Sequence, residues 1–181
     1  MLRQVLLWVL IVLCAPPLVQ AQRPGRSRPR EERSFGAEGR MKYPVPLPRE
    51  VLGIISSDED VRNWCLRELG LHRMEASFFQ ASRVSLNNKG LLGLVVTSGD
   101  CYVGGTNNNR FWIFYRTPQG YRAVFDEMAF GVTILRTKTG GFYDIKVGTL
   151  LGPQLWWDLY KFDGSKYKVA RSWKETYQKG E

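Results

Sequence analysis

Phe111-Trp112-Ile113-Phe114-Tyr115-Arg116-Thr117-Pro118-Gln119-Gly120-Tyr121-Arg122-Ala123-Val124 reads as two strands joined by a tight turn. Pro118 and Gly120 supply the turn chemistry, and the residues on either side are the aromatic and β-branched types that strands favour. The run Phe111 to Tyr115 is apolar at successive positions. Successive side chains of a strand point to opposite faces, so this run predicts a central strand covered on both sides. The same phrase recurs about 45 residues later. Trp157-Asp158-Leu159-Tyr160-Lys161 leads through a turn at Asp163 and Gly164 into Tyr167-Lys168-Val169-Ala170. A chain of this length has room for only two such units in one domain, too few for a propeller. The repeat therefore predicts two similar hairpins in one antiparallel sheet, with Trp112 and Trp157 in its core.

Outward from these hairpins, a period of two runs through the C-terminal half. Segments 78–86, 91–97, 110–116, 121–126, 131–136, 143–147, 155–162 and 167–173 read as strands, separated by Gly, Pro, Asn or Asp. The connections are too short for parallel crossovers, so the pairing is antiparallel and largely a meander. In 155–162, Leu155, Trp157 and Leu159 share one face, and Trp156, Asp158, Tyr160 and Phe162 the other. One face is expected inward, and the other carries a buried polar group or meets a second layer supplied by a helix.

The N-terminal part of the domain changes period. Residues 48–55 suit a short helix, and Ser56 with Glu59 matches a capping box for a second. Asp58, Glu59 and Asp60 place negative charge at the positive end of the helix dipole, which accounts for them without a metal. Val61, Trp64, Cys65 and Leu69 then form one apolar face, and Gly70 is a stop. The predicted class is α+β: an N-terminal helix or helices packed on an antiparallel, mostly meander sheet of about eight strands.

Residues 1–21 read as an export signal. Arg3 precedes an apolar run from Val5 to Ala15, and Val19-Gln20-Ala21 suits a signal peptidase. The run is shorter than the roughly 20 residues that span a bilayer. A retained anchor, or lipidation at Cys14, which follows Leu13 rather than a small residue, are the other readings. The expected location is secreted or periplasmic. Residues 22–47 form a basic segment rich in Pro, Gly and Arg, and 48–181 a single globular domain. Between residues 22 and 50 lie eight basic and four acidic groups. Arg23, Arg26, Arg28, Arg30 and Arg33 alternate with residues that bury no core, which predicts a flexible tether. Such a tail could also contact anionic lipid, cell-wall polymer or another polyanion; nucleic acid is rarely met by an exported protein.

Cleavage after Ala21 would leave two cysteines, Cys65 and Cys101. Either they form a disulfide that ties the helix to the sheet, favoured by an oxidising compartment, or they are two buried thiols. Zinc is disfavoured because the only histidine is His72. No nucleophile elbow, HExxH or phosphate-binding glycine loop is present, and no cofactor is expected. The least regular segment, Ser98 to Asn109, holds Asp100, Tyr102, Asn107, Asn108 and Asn109, a long loop of the kind on which binding often sits. Calcium there would find one formal negative charge, so a recognition loop or plain connection is the better reading. Tyr102, Tyr121 and Tyr167, the last two beside Arg122 and Lys168, are the aromatics expected nearest the surface.

Val84-Ser85-Leu86-Asn87-Asn88-Lys89-Gly90 followed by Leu92-Gly93-Leu94-Val95-Val96 resembles the strand-loop-strand of FG-GAP-type repeats, with Asn87, Lys89 and Gly90 where calcium ligands would stand. Residues 75–173 also resemble uncharacterised exported bacterial β-domains with an aromatic strand, a Tyr-Arg hairpin and a late Tyr-Lys strand. The resemblance implies an exported β-domain and no activity. The leading expectation is a non-enzymatic domain that binds a protein or envelope polymer. A hydrolase using acids from Asp100, Asp126 or Asp158 is the alternative, and polyanion binding by the arginine tail a further one.

Overall fold

The computed structural model describes residues 33–99, 101 and 107–176. The predicted export signal, Arg23, Arg26, Arg28, Arg30, Asp100 and Tyr102 lie outside the described residues. Within them the chain is mostly β, with two helices, α1 (Arg49–Ser57) and α2 (Glu59–Leu69).

All eight expected strands are present, as β3 (Gln80–Ser85), β4 (Leu92–Thr97), β5 (Asn109–Thr117), β6 (Gly120–Ala129), β7 (Gly131–Thr139), β8 (Phe142–Leu151), β9 (Gln154–Phe162) and β10 (Tyr167–Thr176). They do not form one sheet. The meander divides between β6 and β7 into two antiparallel sheets of five strands each. Sheet I has the order β2-β3-β4-β5-β6 and sheet II β1-β7-β8-β9-β10, where β1 is Ser34–Gly36 and β2 is Pro44–Val45. These two short strands lie inside the stretch read from its composition as a tether. Phe35, buried in the core, and Met41, whose N–H donates to Gln80 Oε1 at 2.9 Å, hold that stretch down.

The division has a physical cause. A twisted eight-strand sheet with two greasy faces leaves one face uncovered unless it folds over on itself. The chain makes the fold at Phe130, whose N–H donates to Gly148 O at 2.7 Å as the chain leaves β6 for β7. Val84, Leu86, Val95, Phe111 and Ile113 of sheet I then meet Val132, Ile134, Ile145, Val147, Tyr160 and Phe162 of sheet II in the main core.

The opposite face of sheet I is covered by the helices. Val51 and Ile55 of α1 and Val61 and Cys65 of α2 pack on Ala81, Leu94, Val96, Trp112 and Phe114. Two layers thus sandwich β5, whose residues Phe111 to Phe114 are all buried, as their double-faced apolarity predicts. The helix start differs in detail from the expected capping box. Asp58 is the N-cap, its Oδ1 accepting from Val61 N at 3.1 Å. Gly70 ends α2 in the left-handed conformation at φ 61°. Trp64, placed by its spacing on the buried face, is 38% exposed and stacks with the Arg67 guanidinium. The Cα atoms of Cys65 and Cys101 are 5.1 Å apart, and the two residues form the disulfide that ties α2 to sheet I. Closing a loop of this size stabilises the fold by about 3–4 kcal/mol in the chain-entropy treatment.

The helices cover sheet I, and among the described residues no helix or second sheet covers the outer face of sheet II. That removes a helix as the second layer offered, beside a buried polar group, for one face of 155–162, and it corrects the placing of Trp157 in the core. Among the described residues, no helix is long and apolar enough to cross a membrane.

Candidate functional site

Among the described residues, two places reach solvent with organised polar chemistry, one at the rim of the main core and one away from it. The first is the open seam where the edge strand of sheet I meets the edge strand of sheet II. β6 and β10 each end a sheet, and they border a groove of about 280 Å³ lined by Ala123 to Glu127, Tyr160, and Lys166 to Val169. Burial pushes the Glu127 carboxyl up from its ordinary value, and the neighbouring Asp126 adds to the effect, with Asp158 contributing less. The Tyr160 phenol is likewise pushed up, by burial first and then by Glu127 and Asp158. This end of the groove therefore disfavours further negative charge. Arg110 opposes the shift of Glu127, and Lys166 does so less strongly from the other wall.

The two described aspartates considered for hydrolysis are both engaged. Arg110 grips Asp126 with Nε at 2.5 Å from Oδ1 and Nη2 at 2.9 Å from Oδ2, a two-pronged contact that also reaches Asp58 at 3.5 Å. Asp158 accepts from the Ser172 hydroxyl. Asp58 meanwhile caps α2, so the acidic cluster at the helix start has a structural role. Glu127 is the acid in this groove whose carboxyl is raised, and sequence reasoning passed over it because nothing in the pattern showed it facing Tyr160 across the sandwich.

The second place is the outer face of sheet II. Register pairs Trp157 of β9 with Gly148 of β8 on one side and Trp173 of β10 on the other. Trp157 lies down on Gly148, where a Cβ would come within 2.7 Å of its ring. The Lys146 ammonium sits 3.6 Å from the centre of the Trp157 ring and 5.6 Å from that of Trp173. The Arg171 guanidinium is 5.7 Å from the Trp173 ring. Both indole N–H groups donate to the one carboxylate of Glu175, Trp157 to Oε2 at 3.0 Å and Trp173 to Oε1 at 3.3 Å. The result is a cluster of two rings, two cations and a carboxylate, organised by contacts among its own members. Neither ring belongs to a hydrophobic core.

The residues singled out in the sequence fall elsewhere. Asn108 is buried, and it exchanges two hydrogen bonds with Leu150, donating to its O at 2.7 Å and accepting from its N at 3.0 Å. Asn109 is also buried and donates to Ala37 O at 2.9 Å. Both pin the loop to neighbouring strands, Asn108 through both ends of its amide and Asn109 through its Nδ2. Asn107 is exposed and takes a positive φ of 65°, a turn role that suits Asn. Tyr167, expected near the surface, is a core residue whose hydroxyl donates to Tyr143 O at 2.7 Å. Tyr121 is half-buried against the helix cluster, and its N–H donates to Glu50 Oε1 at 2.6 Å. Arg122 and Lys168 are exposed, and Lys168 lines the seam groove. Cys65 and Cys101 come together; the tyrosine-plus-base pairs do not.

In the loop compared with FG-GAP repeats, Asn87 Oδ1 accepts from the N–H groups of Lys89 and Leu91, both at 2.9 Å, closing the turn on itself. Among the described residues no group of three or more His, Cys, Asp or Glu is placed to hold a metal ion. Comparison with protein-family models, with curated protein sequences and with solved structures found no match.

Proposed function

We propose that this is an exported, non-enzymatic β-domain that binds a polymer of the cell envelope or extracellular space through the outer face of sheet II. One observation carries the reading. Trp157 and Trp173 are held by contacts with Gly148, Lys146 and Glu175 on a sheet face that, among the described residues, neither helices nor a second sheet cover. Aromatic rings in such a setting cost desolvation with little core packing in return, and rings with a polar tip are the side chains that anchor interfaces. The disulfide and the helix layer stiffen the opposite sheet, so the face is presented on a rigid support.

The test is co-sedimentation of the full chain with insoluble polymers, namely peptidoglycan sacculi, cellulose, chitin and calcium-gelled polygalacturonate. The expected result is retention on at least one of them, lost in the Trp157→Ala/Trp173→Ala double variant. A chain that stays in the supernatant with every polymer is not a binder of this kind.

A second reading rests on Glu127, whose raised carboxyl in the seam groove is of the kind a general acid uses. It is the weaker one, because Asp126 is held by Arg110 and a partner carboxylate is not presented freely across the groove. Release of reducing ends from any of the same polymers, abolished by Glu127→Gln, would favour it over the binding reading.

A further inference from the structure

The geometry points to a particular ligand class for the outer face of sheet II: an acidic polysaccharide whose sugar rings carry carboxylates, such as a polyuronate. This inference rests on the polymer-binding reading above and adds the charge and shape of the ligand.

The charge argument starts from the ring cluster. Lys146 and Arg171 stand beside the indoles, and among the described residues the carboxylate that touches these rings, Glu175, is engaged by both indole N–H groups. The ion pairs among the described residues lie elsewhere, within α2, between Arg73 and Glu75, and around Arg110. Among the described residues neither cation is ion-paired, and against the single charge of Glu175 the two leave the cluster net positive. They lie within a basic half of the domain, since residues 131–176 hold eight Lys or Arg against four Asp or Glu. Of those four acids, Asp144 is buried and Asp163 is bound into its own turn by Ser165 and Lys166.

The shape argument starts from the rings. A sugar presents a flat face of C–H bonds that packs on an indole, removing apolar surface from water on both sides. Trp173 lies on an edge strand and is half-exposed, while Trp157 is pressed against Gly148 with the Lys146 ammonium against its ring. A uronate seated on Trp173 would bring its carboxylate to Lys146 and Arg171, which flank that ring at 5.6 and 5.7 Å. Cation and ring together suit a ligand that is both anionic and flat. A polyphosphate satisfies only the charge and a neutral glucan only the ring.

The experiment is isothermal titration of the full chain with a hexamer of galacturonic acid, with its methyl-esterified form, with maltohexaose and with a 24-nucleotide oligothymidylate. The expected result is binding of the free acid, weakened about tenfold by esterification and by each of Lys146→Gln and Arg171→Gln. Trp173→Phe, which keeps a ring, should retain most affinity, and Trp173→Ala should lose more than tenfold. Circular dichroism of each variant checks that the fold is intact. Equal binding of acid and ester, with Lys146→Gln and Arg171→Gln silent, overturns the acidic ligand while leaving polymer binding in place. Equal binding of the oligonucleotide, weakened by the same variants, assigns the face to nucleic acid and overturns the sugar. Loss of binding on replacing Arg23, Arg26, Arg28 and Arg30 by Gln, with the sheet variants unaffected, moves the site to the tail and also overturns it. Failure of every polymer in sedimentation sinks the polymer-binding reading itself.

Discussion

The hairpins β5–β6 and β9–β10 are written alike and used differently. Trp112 in the first is 3% exposed, sits between Val96 and Asp126 in register, and meets Phe79 edge-on at 6.0 Å between ring centres. Trp157 in the second sits between Gly148 and Trp173, with a lysine rather than a helix against its ring. The strands are equally good; what differs is the layer beyond them. Sheet I has α1 and α2 on its outer side, tied by the disulfide, and sheet II has no such layer among the described residues. The comparison teaches that a repeated phrase specifies a hairpin and its turn, whereas the burial of its outward residues is decided by what another part of the chain supplies.

The largest expected effect tests that difference directly. Trp112→Ala should cost about 3–5 kcal/mol, as for other large aromatic truncations in a core. Trp157→Ala should cost about 1–2 kcal/mol, from partial burial and one cation–ring contact. Urea unfolding followed by circular dichroism measures both. Equal losses would mean that the outer face of sheet II is packed as tightly as the helix-covered one, and the contrast would collapse.

What could be read in advance follows the same line. The strands were legible because alternation and turn residues are local properties, and the central place of β5 followed from apolar residues on both its faces. The helix start at 58–60 and its stop at Gly70 are equally local. The split into two sheets was not legible, since it depends on how a meander closes on itself at Phe130. β1 and β2 were hidden by composition: Arg, Pro and Gly dominate around them, and only Phe35 and Met41 betray a buried stretch. The site was the least legible part. Asn108 and Asn109 looked like ligand groups and proved to be strand pins, because a buried amide has the same letter as an exposed one. Trp157 and Trp173 carried a usable signal, an aromatic at matching positions of paired strands. It could be interpreted only once the missing cover was known.

The next expected effect concerns the cover itself. Removing the disulfide by Cys65→Ser/Cys101→Ser should destabilise the fold by about 3–4 kcal/mol in the chain-entropy treatment. It should loosen α2 from sheet I and raise hydrogen exchange in β4 and β5, while β9 and β10 stay protected. Exchange rising equally in β9 and β10 would show that the two sheets open as one unit, and the helix layer would lose its claim as the feature that separates the hairpins. A smaller effect is expected from Gly148→Ala. The added methyl would meet the Trp157 ring, which can tilt outward, so a cost of about 1–2 kcal/mol and a changed indole emission are expected. An unchanged emission would mean that Trp157 does not rest on Gly148 in solution.

The smallest effect lies where the two hairpins meet, at Glu127 of β6 opposite Tyr160 of β9. The folded protein holds the Glu127 carboxyl above its ordinary value of 4.5, with burial as the main cause and Asp126 second. A raised carboxyl binds its proton more tightly in the folded state than in the unfolded one. Its contribution to stability is therefore fully present below the unfolded value and is lost as pH rises through the folded one. Glu127→Gln stays neutral throughout, so it should match the wild type near pH 3.5 and be the more stable of the two at pH 7. Solvent screening at this largely exposed side chain keeps the gain under about 1 kcal/mol. Thermal melts across that pH range provide the measurement. If the glutamine variant is instead less stable at pH 7, the favourable charge contacts of Glu127 with Arg110 and, less strongly, Lys166 outweigh its burial, and the seam helps hold the hairpins together by charge.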